Sequence, residues 1–132
     1  MIENRPKKFG FPKAERLTGK KKIEELFKNG SSIFLYPYLV KFIPQDQKVH
    51  RILISIPKKK FKRAVDRNLL KRRIREAYRL NKHIIYDKPD RFYNVGIIYQ
   101  HQEILPYAEI ESKLINLLNK LQDQKTKSDE KG

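Results

Sequence analysis

The spacing of apolar residues predicts a short helix near the start of the chain. One side of the segment carries the apolar residues Ile23, Leu26 and Phe27, at the intervals that a helix brings together. Thr18 stands before this segment as a suitable N-cap, and Asn29-Gly30 follows it as a typical helix end. We therefore expect a helix over residues 20–29, with its apolar side directed into a core.

An alternating pattern follows Gly30 and predicts strands. The segment 31–56 is rich in β-branched and aromatic residues and is interrupted by the polar run PQDQK. In the first strand, one face would carry Tyr36, Tyr38, Val40 and Phe42, and the other Leu39, Lys41 and Ile43. The second strand would run from Val49 to Ile56. We predict that the two strands pair as an antiparallel hairpin.

Three further elements complete the predicted fold. Apolar residues at helical spacing run over about 63–81, the mostly apolar segment 92–100 indicates a buried strand, and a final helix spans about 106–121. The order α-β-β-α-β-α indicates an α+β fold, a single α/β sandwich domain in which helices pack against a sheet.

Composition divides the chain into three parts. Residues 1–15 are basic and interrupted by proline and glycine, which predicts a flexible arm with Phe9 and Phe11 as anchors onto the domain. A fraying terminus without anchors is the alternative. Residues 16–121 would form the folded domain. Residues 122–132 are polar throughout and are predicted to be a disordered tail.

Positive charge is concentrated in the helix predicted at 63–81 and in the residues before it. Segment 58–82 holds twelve Lys and Arg against two acids, so it contributes +10 to the net charge of +16. A spacing of four joins Arg63, Arg67, Lys71, Arg75 and Arg79 into one basic stripe. A solvated surface usually mixes signs, whereas like charges four apart repel. The stripe therefore predicts contact with nucleic acid, weakened steeply by salt.

Other features limit the class of protein. No stretch approaches the roughly 18 apolar residues of a membrane span, and the first residues do not read as a secretory signal. Cysteine is absent, which excludes disulfides and thiolate metal sites and agrees with a reducing cytoplasm, where we expect the protein. A membrane-active cationic helix is disfavoured because the basic helix also has an apolar docking side.

The residue pattern predicts no intrinsic active site, and we assign no catalytic residue. His50, His83 and His101 form no metal-spaced pair. Asp66 and Glu76 would lie roughly 15 Å apart on a helix, too far to share one ion. An independent nuclease is therefore disfavoured. A DNA-binding regulator is also disfavoured, because no helix-turn-helix partner precedes the basic helix.

A specific motif covers the basic helix and the residues before it. The segment ISIPKKKFKRAV (54–65) leads into RNLLKRRIREAYR (67–79), and RLTGKKKIEELFKNG (16–30) lies upstream. Together these segments resemble the protein subunit of bacterial ribonuclease P over about residues 16–121. A ribosomal or RNA-chaperone protein that binds structured RNA through the same helix is the alternative.

The match can be followed residue by residue. Lys58 and Lys59 match the family's paired lysines, Arg67 and Asn68 begin its Arg-Asn-Arg triplet, Lys71 and Arg72 match its Lys-Arg pair, and Arg75 and Glu76 its Arg-Glu pair. Leu69 replaces the second arginine of the triplet, for which Arg73 could partly substitute, and Pro57 stands where Ser or Ala is usual. The residues expected to bind the catalytic RNA are Lys58, Lys59, Lys62, Arg63, Arg67, Asn68, Lys71, Arg72, Arg75 and Arg79.

The resemblance also implies a fold and a division of labour. It implies a left-handed βαβ crossover through the basic helix, and a complex that removes 5′ leaders from precursor tRNA. Chemistry would lie on the RNA subunit, with Mg²⁺ bound mainly by that RNA and no cofactor intrinsic to the protein. The leader would enter a cleft formed by Phe27, Leu39 and Lys41, with the opposite strand face (Tyr36, Tyr38 and Phe42) as the alternative. Protein-bound metal sites are not assigned.

Overall fold

Four strands form one mixed sheet in the computed structural model of the chain, which describes residues 11–87 and 91–131 and, in the last helix, side chains as far as Asp123. The strands are β1 (Ser31–Leu35), β2 (Tyr38–Gln45), β3 (Arg51–Ser55) and β4 (Phe92–Tyr99). Their spatial order is β1-β2-β4-β3. The β1–β2 and β2–β4 pairs are antiparallel, and β3 and β4 are parallel.

Four α-helices cover the two faces of this sheet in the described residues. They are α1 (Lys20–Asn29), α2 (Ala64–Asn81), α3 (His83–Tyr86) and α4 (Tyr107–Lys131), and a single 3₁₀ turn (Lys13–Glu15) precedes them. Helices α2 and α4 pack on the face that carries Val40 and Ile97, whereas α1 crosses the opposite face above β2 and β4. The α+β sandwich is therefore confirmed.

Helix α2 connects two parallel neighbours, β3 and β4, so the βαβ crossover that the resemblance implies is present. Such a connection needs a helix-length segment because parallel strands begin at the same edge of the sheet. The handedness of the crossover stays a prediction from the family.

The predicted antiparallel hairpin, in which the strand containing Val40 pairs with the strand from Val49 to Ile56, is wrong: these strands are β2 and β3, and they are not neighbours. The segment 31–45 contains a turn at Tyr36-Pro37 and forms the hairpin of β1 and β2 by itself, which adds a strand to the predicted order. Strand β4 then lies between β2 and β3. The physical reason is burial: residues 93–97 are buried on both faces, and only a central strand is covered on both sides.

The element ends differ from the predictions in three places. Gly19 (φ 98°), and not Thr18, is the N-cap of α1, although both bounds of this helix are as predicted. Helix α4 continues past Leu121, so the tail predicted to be disordered begins inside a helix. Residues 11–15, assigned to the flexible arm, pack on the domain, with Phe11 against the ring of Tyr78 at 5.6 Å. Residues 1–10, including Phe9, lie outside the described residues.

A buried ion pair ties the start of the domain to the end of α2. Lys82 Nζ donates to Glu15 Oε2 at 2.9 Å and to Oε1 at 3.1 Å, and the two side chains are 6% and 8% exposed. The hydroxyl of Tyr78 donates to Glu15 Oε1 at 3.4 Å. Lys82 belongs to the basic segment of the sequence, but its charge is neutralised inside the protein.

Removal of one partner should be costly. We expect Glu15→Ala to lower the free energy of unfolding by about 3–5 kcal/mol, because it leaves the Lys82 ammonium buried without a counter-charge. Urea unfolding followed by circular dichroism measures the effect. Replacing both residues with methionine should restore much of the loss.

The matched control is Glu24→Ala, which removes an exposed acid from α1 and should change stability by less than about 0.5 kcal/mol. A loss below about 1 kcal/mol in Glu15→Ala would contradict a structural role for this pair.

Candidate nucleic-acid interface

Packing on the sheet fixes the rotation of α2 and decides which of its cations face outward. Leu70, Ile74, Ala77 and Tyr78 are fully buried. Each large apolar side chain buried in this way contributes roughly 1.5–3 kcal/mol. Because residues on the opposite side must then face solvent, Asn68, Arg72 and Arg75 are exposed, and Lys71 is half-buried on one flank.

The basic connector between β3 and α2 is held in place by one member of the stripe. The Arg67 guanidinium donates to the carbonyls of Phe61 at 2.7 Å and Lys62 at 2.9 Å. Phe61 is buried beside the ring of Tyr99, with 5.8 Å between ring centroids. The connector is thus anchored at its apolar residue and leaves its lysines exposed, namely Lys58, Lys59, Lys60 and Lys62.

Two further cations of the stripe pair with acids on the same helix. Arg79 binds Glu76 with N–O distances of 3.1 and 2.5 Å, and this hydrogen bond holds the pKa of the Glu76 carboxyl below its usual value. Arg63 lies 3.9 Å from Asp66. Within the described part of the chain, Lys71, Arg72 and Arg75 have no hydrogen-bond or ion-pair partner. They are therefore the cations of α2 most available to a phosphate backbone.

The sheet face beneath α1 is partly open, and the register of the strands gives its layout. Phe34, Leu39, Ile98 and Ser55 lie side by side on β1, β2, β4 and β3. The next row contains Lys41, Gly96 and Leu53. Residues opposite one another in register share a face. Leu39 and Lys41 are therefore on one surface, as the alternation predicted.

Helix α1 brings Phe27 to the same surface. A Cβ atom on Gly96 would lie 3.1 Å from Leu26 Cδ2 and 3.7 Å from Phe27 Cζ, so glycine permits the close approach of the helix. Leu26 is fully buried in this contact, whereas Phe27 is 38% exposed. Because Gly96 is the register partner of Lys41, the structure brings Phe27, Leu39 and Lys41 together.

The opposite face of β2 belongs to the core. Tyr38, Val40 and Phe42 are buried, and the Tyr38 hydroxyl donates to the carbonyl of Ile110 at 2.9 Å. Burial also raises the pKa of the Tyr38 hydroxyl well above its usual value, so the hydroxyl stays protonated. The alternative leader cleft on this face is therefore wrong. Tyr36 lies in the β1–β2 turn and is exposed.

Comparisons with known proteins identify the family of the chain. The model of the Ribonuclease P family matches residues 11–122. The chain belongs to this family. The "Ribonuclease P protein component" of Porphyromonas gingivalis is 42% identical over 87 residues, which cover 62% of this chain and 62% of that protein. The chain thus matches less than two thirds of the length of that relative.

Two further relatives match over more of their length. The "Ribonuclease P protein component" of Petrotoga mobilis is 30% identical over 121 residues, which cover 85% of this chain and 95% of that protein. The solved structure of the ribonuclease P protein from Thermotoga maritima has a TM-score of 0.69 at 28% identity, covering 80% of this chain and 96% of that one. The sandwich fold is therefore shared with a solved ribonuclease P protein.

The departures from the family motif have clear places in the structure. Leu69 is half-buried within α2. The guanidinium of Arg73, which could partly substitute for the missing arginine, donates to the carbonyl of Leu105 at 2.8 Å and links α2 to the loop before α4. Sequence reasoning also missed Phe34 and Ile98 on the open face, which the strand register would have revealed.

Histidine has a structural role at position 50. The ring of His50 is buried, its Nδ1 accepts from the Tyr93 amide at 3.1 Å, and its Nε2 lies 2.9 Å from the Ile85 carbonyl, to which it donates.

Residues 11–87 and 91–123 contain no cluster of three or more His, Asp or Glu suited to a metal ion. In the same part of the chain, every helix is too short or too polar to cross a membrane.

The exposed cations of α2 give a testable prediction. Arg72→Ala with Arg75→Ala should weaken binding of ribonuclease P RNA and lower the slope of log K against log salt by about 2, roughly 1 for each lost phosphate contact. Stability should change by less than about 0.5 kcal/mol, because both side chains are exposed. A salt titration by filter binding, with urea unfolding in parallel, measures both quantities.

Arg67→Ala should behave differently, since it also leaves two connector carbonyls without their donor, at a cost of about 1–3 kcal/mol in unfolding free energy. Lys48→Ala with Lys120→Ala removes the same charge elsewhere and should preserve the salt slope. An unchanged slope in the Arg72/Arg75 variant would reject α2 as the docking surface.

Proposed function

We propose that this chain is the protein subunit of ribonuclease P. It binds the catalytic RNA and the 5′ leader of precursor tRNA, and so promotes endonucleolytic removal of the leader to give the mature 5′ end. The observation that carries the proposal is the pairing of two surfaces in a member of this family. One is the cationic side of α2. The other is the partly open sheet face that carries Leu39 and Lys41, with Phe27 of α1 beside them.

The cationic surface suits a folded RNA. An A-form helix hides its base edges in a deep groove, so a protein recognises it mainly by shape and by phosphate contacts. Lys58, Lys59 and Lys62 on the connector extend the surface formed by Arg72 and Arg75. Asn68 is exposed beside them and offers an amide to a ribose, a base or a hydrated ion.

The open sheet face suits a single strand. Unpaired bases stack on aromatic rings and apolar surface, and a cation follows the phosphates. Phe27 offers a ring, Leu39 a half-buried apolar floor, and Lys41 an ammonium group on the same surface. A leader would therefore meet both kinds of contact within one cleft.

We assign the hydrolytic chemistry, and the Mg²⁺ that it requires, to the RNA subunit. The acids that flank the docking surface fit a metal site poorly, because Asp66 and Glu76 pair with Arg63 and Arg79. In this proposal the protein positions RNA and screens phosphate charge, and it acts as an enzyme only within the holoenzyme. The cytoplasm, where we expect it to act, contains the precursor tRNA.

Reconstitution tests the function directly. Precursor-tRNA cleavage should be absent with the protein alone, weak with the RNA subunit alone at low Mg²⁺, and strongly increased when both are mixed. Appearance of mature 5′ ends on a gel is the measurement. The Arg72/Arg75 variant should need a higher protein concentration for the same rate. Equal cleavage by the protein alone would refute the assignment of chemistry to the RNA.

The leader cleft gives a second test. Phe27→Ala in the holoenzyme should weaken binding of leader-bearing precursor by about 1–3 kcal/mol, the value of one base–aromatic stack, and leave mature tRNA almost unchanged. Phe27→Trp keeps a stacking ring and serves as the matched control. An equal loss on precursor and mature tRNA would place the leader elsewhere.

A further inference from the structure

Two exposed aromatic side chains lie at the end of the sheet, outside the cleft described above. Phe34 is 62% exposed and Tyr36 is 47% exposed. Their rings meet edge to face with centroids 6.4 Å apart, and Tyr36 meets His101 in the same way at 5.3 Å. The Tyr36 hydroxyl is also hydrogen-bonded to His101 Nδ1. These rings form a row, which we call the edge row: Phe34, Tyr36 and His101.

Folding of the domain does not explain the exposure of Phe34. The residue lies on β1, the edge strand, opposite Leu39 on the open face. Its neighbour Ile33 already supplies the buried contact of this strand. An exposed aromatic side chain on a sheet edge favours unwanted association, so its presence suggests that it binds a partner.

The edge row is held rigidly and lies beside cations. The amide of Gln100 donates to the carbonyl of Pro37 at 2.7 Å, which fixes the β1–β2 turn against the end of β4. Lys60 Nζ donates to the carbonyl of Gln100 at 2.7 Å. The ammonium group of Lys60 therefore binds the residue that precedes His101, and the exposed Lys58 and Lys59 come just before Lys60 in the chain.

Exposed rings with a cation nearby match a single-stranded nucleic acid better than a protein partner. A second copy of this chain would bring another net charge of +16 against the same surface. The edge row also continues the cleft, since Phe34, Leu39 and Ile98 share one row of the sheet. Phe34 lies two strands away from Gly96, the residue beneath Phe27, and two residues further along the strand, which gives a distance of roughly 12 Å.

We propose that Phe34 and Tyr36, with Lys60, form a second subsite for the leader of precursor tRNA, a few nucleotides beyond the one at Phe27 and Lys41. This inference rests on the proposed function. Bases of the longer leader stack on Phe34 and Tyr36, and Lys60 contacts the phosphates between them. Leaders too short to reach the edge row use the first subsite alone.

The test is a leader-length series bound to the reconstituted holoenzyme. Phe34→Ala should weaken binding of precursors with long leaders about tenfold, the effect of losing one stacked base, and leave a two-nucleotide leader unchanged. Phe34→Trp should restore the affinity, and Phe34→Leu should not. Tyr36→Phe keeps the ring and should bind normally, whereas Tyr36→Ala should not.

Abasic nucleotides locate the contact. An abasic site at the position that stacks on Phe34 should cause the same loss, and should cause no further loss in Phe34→Ala. Equal effects of Phe34→Ala on short and long leaders, or none on either, would overturn the inference. The proposed function is tested separately by the wild-type holoenzyme. If it cleaves precursor tRNA and binds leader-bearing precursor more tightly than mature tRNA, the proposed function holds even when the second subsite is rejected.

Two other outcomes would also reject the subsite. Weaker binding of the catalytic RNA by Phe34→Ala, measured without substrate, would assign the edge row to that RNA. A wild-type dimer in sedimentation that Phe34→Ala dissociates would assign it to a second copy. Circular dichroism of each variant verifies folding, which we expect to be unaffected because both rings are exposed.

Discussion

The packing of α2 on the sheet is the interaction on which the other features depend. Its own side chains Leu70, Ile74 and Tyr78 are fully buried against the sheet. Their burial offsets the repulsion among the cations of the helix. Because the helix cannot rotate without exposing these side chains, the directions of Arg72 and Arg75 are fixed as well. These apolar contacts thus determine both the fold around the crossover and which cations of α2 face solvent.

The cations of the basic segment have different roles because of helical geometry. Residues four apart advance about 400° on a helix, so a stripe at this spacing turns by about 40° per step and about 160° from Arg63 to Arg79. Arg67 consequently reaches the connector carbonyls, Arg75 faces solvent, and Arg79 meets Glu76. Charge spacing predicted a helix that contacts nucleic acid, but it could not distinguish structural cations from exposed ones.

Local patterns predicted the helices better than the sheet. The bounds of α1 and α2 followed from apolar spacing, which depends on near neighbours in the chain. Pairing of β4 between β2 and β3 joins residues far apart in sequence, and the mostly apolar sequence of β4 indicated only that this strand is buried. In the candidate site, alternation placed Leu39 and Lys41 on one face, but Phe34 was missed because the turn at Tyr36-Pro37 was not recognised.

The ion pair between Glu15 and Lys82 has a consequence for the order of events during synthesis. The two residues are 67 positions apart, so the carboxylate has no internal partner until the end of α2 has been made. At usual elongation rates this delay is roughly 3–13 s. Glu15 is therefore synthesised before α2 but can dock only after α2 has been made. For this contact, the order of docking is the reverse of the order of synthesis.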